Sequence, residues 1–154
     1  MPSVKRKQNA VGFRLIDITT EQFASLENNY DHQGDDIEIG FETSFKLDKT
    51  NHVIGSYCRF NFYQNDNYIL IAEVACHFKI MEQTWDSSFV PERMEITFPK
   101  SFLTHLLVLT VGTARGVIQA KKPKSYVGLI LPTFDVTKVV VEDMTFDLNA
   151  EEEE

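Results

Sequence analysis

The order of apolar residues predicts an α+β fold: a four-stranded antiparallel sheet with one long C-terminal helix packed against it. Three observations carry this. Apolar residues recur at mostly every second position through residues 11–81, the period of a half-buried strand. Turn-forming clusters interrupt that stretch, so successive strands double back. Between residues 99 and 121 the period changes to that of a helix.

The first strand is irregular. Phe13 and Leu15 share one parity, whereas Ile16 and Ile18 share the other. A bulge or bend reconciles them. The strand is expected to pair at an edge of the strands that follow. Residues 27–36 are polar, contain Gly34 and read as a loop.

Residues 36–47 alternate cleanly. Ile37, Ile39, Phe41, Thr43, Phe45 and Leu47 fall on one face, with Glu38, Glu42 and Lys46 on the other. One dry and one wet face mark an antiparallel sheet. Asp48-Lys49-Thr50-Asn51 then reads as a turn. The next strand turns Ile54, Cys58, Phe60 and Phe62 inward. The fourth turns Tyr68, Leu70, Ala72, Val74, Cys76, Phe78 and Ile80 inward. Between them Gln64-Asn65-Asp66-Asn67 reads as a hairpin turn, because Asn and Asp tolerate the left-handed backbone.

Residues 81–94 read as a loop, yet carry Met81, Trp85, Phe89, Val90 and Met94. Loops normally run over the surface, so these side chains must cover something: their own subunit, a sister subunit or a bound chain. In the helix, Phe102, Leu106, Leu109, Thr113 and Val117 form one stripe, and Leu103, Leu107, Thr110 and Ala114 a neighbouring one. Together they are wider than one sheet contact needs, so one stripe is expected on the sheet and the other on a partner helix. Pro99 suits the first turn and Pro123 stops the pattern. Gly112 and Gly116 permit close approach of another backbone or mark the helix end. Residues 134–146 are β-branched and strand-prone, with a short helix as the alternative.

The domain reading is a flexible arm over residues 1–10, a single domain over 11–148 and an acidic tail over 149–154. At 154 residues one core suffices. The net charge of −8 disfavours nucleic acid, which needs clustered cations. Lys5, Arg6 and Lys7 are the single basic cluster. No apolar run reads as a leader or a membrane span, and with only two cysteines the expectation is a reducing cytoplasm. Cys58 and Cys76 read as small buried hydrophobes, offset along neighbouring strands.

Chemistry is sparse. His32, His52, His77 and His105 lie too far apart in sequence for a metal-binding spacing. There is no phosphate loop and no nucleophile elbow. Pairs such as Glu38 and Glu42 read as solvated charges rather than a catalytic dyad. Arg115 reads as a helix-end residue that caps carbonyls or meets a carboxylate. No catalytic residue, metal ligand or cofactor is assigned.

Several local motifs, taken in order over residues 13–141, resemble the SecB family of export chaperones. Phe13-Arg14-Leu15-Ile16-Asp17-Ile18 resembles the family's first strand, and Ile69-Leu70-Ile71-Ala72-Glu73-Val74 its fourth. Thr113-Ala114-Arg115-Gly116-Val117 is similar to its helix end, and Leu131-Pro132-Thr133-Phe134-Asp135 to the segment that follows. The resemblance implies a homotetramer built as a dimer of dimers. It also implies an ATP-independent holdase that binds unfolded, export-competent polypeptides in apolar grooves and hands them to the SecA motor.

By the same resemblance, Ile71 and Glu73 match motor-docking positions. The first strand's acidic docking positions are Gln22 and Leu26 here, and Gln33 or a neighbour replaces an aromatic before the second strand. Candidate client contacts are Phe23, Tyr30, Met81, Trp85, Phe89, Val90 and Met94. Candidate oligomer contacts are Phe102, Leu106, Leu109, Gly112 and Thr113. Two alternatives stand beside this reading: a dedicated chaperone for one partner such as an antitoxin, and a small-ligand binder or enzyme on an α+β scaffold. The last requires a closed pocket with convergent polar groups.

Overall fold

A computed structural model describes residues 12–34 and 36–149. The arm over residues 1–10 and the glutamates at 151–154 lie outside the described residues. Four antiparallel strands, β1 (Phe13–Ser25), β2 (Glu38–Asp48), β3 (Val53–Gln64) and β4 (Asn67–Ile80), form a sheet in the order β1-β4-β3-β2. The strands β2 to β4 are the expected meander, and β1 closes one edge against β4.

The irregular parity of β1 has its cause in two register shifts, between Leu15 and Asp17 and between Thr20 and Gln22. The first lets Leu15 sit opposite Phe78 and Ile18 opposite Cys76, on the same face of the sheet. The β3–β4 hairpin turns at Asn65 and Asp66, both with positive φ (52° and 62°), the pair of left-handed residues that matches strand twist.

A further shift in the β3–β4 ladder corrects the reading of Tyr68. Phe62 faces Leu70, but Tyr63 faces Tyr68, so Ile69 is an extra residue in β4. Ile69 and Leu70 both become buried, and Tyr68 swings out to pack its ring, tilted by 40°, with its centroid 4.6 Å from that of Tyr63.

The long helix α2 (Lys100–Lys121) packs on β3 and β4, as the helical period predicts. Pro99 occupies the N-cap, and the carboxylate of Asp143 accepts the Lys100 N–H at 2.8 Å. The helix ends at Lys121; Lys122, held before Pro123, is extended. Gly112 and Gly116 therefore lie within the helix and do not mark its end.

The sheet-facing stripe is Leu103, Leu106, Leu107, Thr110, Val111, Ala114 and Ile118. By length and composition alone α2 is apolar enough to cross a membrane, at a mean hydropathy of 1.4, although no run read as a span in the sequence. Here it lies on the sheet, where the small side chains Ser56, Cys58, Ala72 and Val74 let it approach.

Residues 81–94 are not a plain loop. They form α1 (Glu82–Ser88) and β5 (Phe89–Val90), and β5 pairs with β6 (Glu95–Phe98). The strand-prone C-terminal stretch delivers only β7 (Met144–Asp147), which pairs with β6, preceded by a 3-10 turn at Val136–Lys138. This small sheet closes a second core around Trp85, Ile96, Phe98, Leu103 and Leu106, beyond the end of the larger core that Phe60, Phe62, Leu107 and Tyr126 share.

Candidate functional site

The molecule leaves apolar side chains exposed on two separate faces. The first lies between β1 and α2. Phe13 meets Phe102 and His105 at one end, with ring centroids 5.7 and 5.1 Å apart, and the Lys121 ammonium sits over the Phe23 ring at the other. The helix thus reaches β1 near both of its ends, but it packs on β4 and β3. Leu15 and Ile18 on the strand, with Val108 and Leu109 on the helix, remain exposed. A side chain added at Gly112 or Gly116 would meet nothing within 4 Å, so the backbone is open to approach there.

The expected oligomer residues divide on this geometry. Leu109 and Gly112 are exposed, Thr113 is half-buried with its hydroxyl on the Leu109 carbonyl, and Phe102 is partly buried in the second core. Leu106 is a correction. It is fully buried against its own sheet, because the true sheet-facing stripe runs through residues 103, 106, 107 and 110 rather than through 103, 107 and 110 alone.

The second apolar face surrounds the segment after α2. Val127, Ile130, Phe134 and Val141 are exposed there, and the Phe134 ring lies 5.2 Å from Phe41 of β2, near the exposed Ile39. Tyr30 belongs to this side. Its ring packs 4.4 Å from buried Tyr126, and its hydroxyl donates to the Val127 carbonyl at 3.2 Å. Phe23 is half-buried against the larger core beneath Lys121.

The remaining client candidates sit at the second core. Trp85 is another correction: it is only 8% exposed, and it stacks on His52 at 3.7 Å and 4°. The fold itself uses that ring, so it offers no free contact. Phe89 and Val90 are half-buried in the β5–β6 ladder, whereas Met81 and Met94 are exposed. Sequence reasoning missed the β1–α2 residues Leu15, Ile18 and Val108, and Val127 and Ile130 of the segment after α2. The parity break at Ile16 was the available signal for the first group.

The sheet face opposite α2 carries the expected docking positions. Ile71 and Glu73 lie on it, and the Glu73 carboxylate is 4.0 Å from Arg59, which also approaches Glu42 at 3.8 Å. Gln22 stands directly opposite Glu73, whereas Leu26 lies past the strand end. The second shift in β1 makes Glu21 its extra residue. Glu21 accepts the Thr19 hydroxyl proton at 2.8 Å. Thr19 has then used its one proton, so His77 Nε2, 2.9 Å away, is the donor to it. That order makes His77 a support for the hydroxyl and not a base acting on it. Burial is the main reason the Tyr57 phenol is pushed above its usual range, with Glu21 and Glu73 adding to it.

Cys58 and Cys76 are free and buried; Cys58 faces Val74 and Cys76 faces Ser56, one step apart along the ladder. Burial pushes the Cys58 thiol up to about 12, away from nucleophilic use. Among the described residues no three His, Cys, Asp or Glu side chains converge as metal ligands. Arg115, expected to cap carbonyls, does so outside its own helix: it donates to the Leu131 and Pro132 carbonyls at 2.9 and 3.0 Å. Two depressions of about 330 and 260 Å³ lie beside Tyr63 and beside Tyr30, both open to solvent and neither beneath the helix.

Fold and faces together define an α+β domain, a four-stranded antiparallel sheet with one long helix packed on it, that leaves apolar side chains exposed beside β1 and after α2. No family model and no curated protein matches the chain.

Proposed function

We propose that this chain is an ATP-independent holdase of the SecB type, which binds unfolded polypeptides by apolar surface and works as an oligomer in the cytoplasm. The observation that carries the proposal is the pair of separate apolar faces. The β1–α2 face presents the exposed side chains of Leu15, Ile18, Val108 and Leu109 beside the open backbone at Gly112 and Gly116, which suits a second copy of the same subunit. The face around Phe134 and Ile130 is irregular and borders the free edge of β2, which suits an extended client. Contiguous exposed apolar surface marks interaction sites in otherwise soluble domains. A chain charge of −8 keeps such an assembly dispersed and attracts basic clients.

Handover to the SecA motor is the subordinate part of the proposal. Ile71 and Glu73 share an open face, and Glu21 supplies an acidic group on the first strand where Gln22 and Leu26 do not.

Size-exclusion chromatography with light scattering, run with and without a reduced, unfolded client, tests the reading. An oligomer that retains the client is expected. Leu109→Glu combined with Ile18→Glu should yield monomers that remain folded, since both side chains are exposed in the subunit. A wild-type protein that is strictly monomeric and never retains the client refutes the proposal.

A further inference from the structure

The two edges of the four-stranded sheet are built differently. β1 carries two register shifts against β4, and bulges of this kind twist an edge away from a further strand. β2 pairs with β3 from Glu38 to Asp48 without a shift, and it contains no proline. Among the described residues no backbone group bonds to its outer side. That edge is regular, and its outward donors and acceptors are open to another strand.

Charges on the sheet face opposite α2 run in a row across the strands. Glu73 of β4 stands opposite Arg59 of β3, and Arg59 opposite Glu42 of β2. The guanidinium lies 4.0 and 3.8 Å from the two carboxylates. The row alternates in sign and stops at Glu42, which is exposed at the edge. A strand added there is matched if it brings a cation to that level. β2 itself carries one on the same face: Lys46, whose ammonium lies over the Tyr57 ring. Glu42 and Lys46 stand two residues either side of Ser44.

Two copies of β2 laid antiparallel, Ser44 opposite Ser44, bring Glu42 of each opposite Lys46 of the other. On the α2 side the same register sets Phe41 opposite Leu47 and Thr43 opposite Phe45. Neighbouring registers fail. Centring on Thr43 opposes Glu38 to Asp48, and centring on Phe45 opposes Glu42 to Asp48. Centring on Glu42 or Lys46 sets that charge against itself. We infer that the β2 edges of two copies pair antiparallel about Ser44 and join their sheets into one.

This joint goes beyond the holdase reading and does not rest on it. It lies at the opposite edge of the sheet from the β1–α2 face. With β2 closed, a client on the neighbouring Phe134 side is held by side-chain contact rather than by strand addition. One strand a side is a small interface, so the joint belongs to the weak, transient class and forms as the protein is concentrated.

Charge reversal tests it, since both side chains are exposed. Light scattering over a concentration series of the full chain compares wild type, Glu42→Lys, Lys46→Glu and an equal mixture of the two variants. Circular dichroism checks that each is folded. Each variant alone places like charges opposite one another in the joint, and should weaken the concentration-dependent step at least about tenfold. The mixture sets lysines opposite glutamates and should restore the wild-type curve. Lys46→Glu leaves the Arg59 contact intact, so its loss is read even if Glu42→Lys is destabilised beside Arg59. A wild-type mass that does not rise with concentration overturns the joint. So do reversals that leave the rise unchanged, or a mixture of folded variants no better than its components. None of these outcomes bears on retention of an unfolded client, which the holdase reading requires and the joint does not.

Discussion

The hydroxyl of Tyr126 offers a measurement whose size follows from the hydrogen bonds around it. The ring is 1% exposed, and the hydroxyl donates to the Ile69 carbonyl at 2.7 Å. Ile69 is the extra residue of the β4 bulge, so its carbonyl falls outside the regular ladder, and the Leu26 N–H also donates to it, at 2.9 Å. Tyr126→Phe removes one of two donors and leaves the carbonyl satisfied. The expected cost is thus that of one net hydrogen bond, about 1 kcal/mol, rather than the larger penalty of an orphaned buried group.

For a chain of this length about 1 kcal/mol corresponds to a fall in Tm of about 2–4 °C. Tyr126→Ala also loses the ring and its contact with Tyr30, and should cost about 3–5 kcal/mol. Urea unfolding followed by circular dichroism, at one fixed protein concentration, separates the two variants. A Phe variant as damaged as the Ala variant would refute the argument that Leu26 keeps the carbonyl satisfied.

Three further outcomes are expected. Ser56 is fully buried with no partner for its hydroxyl, so Ser56→Ala should be neutral or stabilising by up to about 1 kcal/mol in urea titration; a clear loss would reveal a hidden bond. The Cys58 thiol, raised to about 12, should resist a disulfide reagent at pH 8 until denaturant is added; moreover, its contribution to stability is complete below about pH 9 and fades as pH rises towards 12. Asp48 is held below its ordinary value of 3.8 by hydrogen bonds from Asn51 and Thr50. Its stabilisation of the β2–β3 turn is present above that value and lost as pH falls below it. The effect is small because the group is largely solvated, and Asp48→Asn should flatten the acid limb of a stability–pH curve.

The sheet was legible in the sequence because alternation and turn chemistry are local signals. Asn65 and Asp66 announced their hairpin, and the broken parity of Phe13, Leu15, Ile16 and Ile18 announced a bulge. The bulge at Ile69 was silent. Tyr68 shares the parity of Leu70, and either register satisfies the alternation; only the pairing with Tyr63 decides. The β5–β6–β7 sheet was also hidden, because two- and four-residue strands give no period and β7 meets β6 from some fifty residues away.

The surfaces were harder still. Both stripes of α2 read as apolar, and only packing decides which one a sheet covers. Leu106 and Leu109, read on one stripe, part company on that point: the sheet covers Leu106 and leaves Leu109 exposed. Trp85 looked available because its segment read as a loop, but α1 turns it onto His52.

The sheet order has a consequence for how the chain is made. The strand at the N-terminus pairs with the last of the four, so β1 has no partner until β4 has left the ribosome. At about 5–20 residues per second the intervening stretch takes some seconds to synthesise. During that interval Leu15, Ile16 and Ile18 sit on an unpaired, extended, apolar segment. Every nascent copy therefore passes through a stage in which its own first strand is the kind of chain the finished subunit is proposed to hold, and older copies nearby are the first bodies able to shield it.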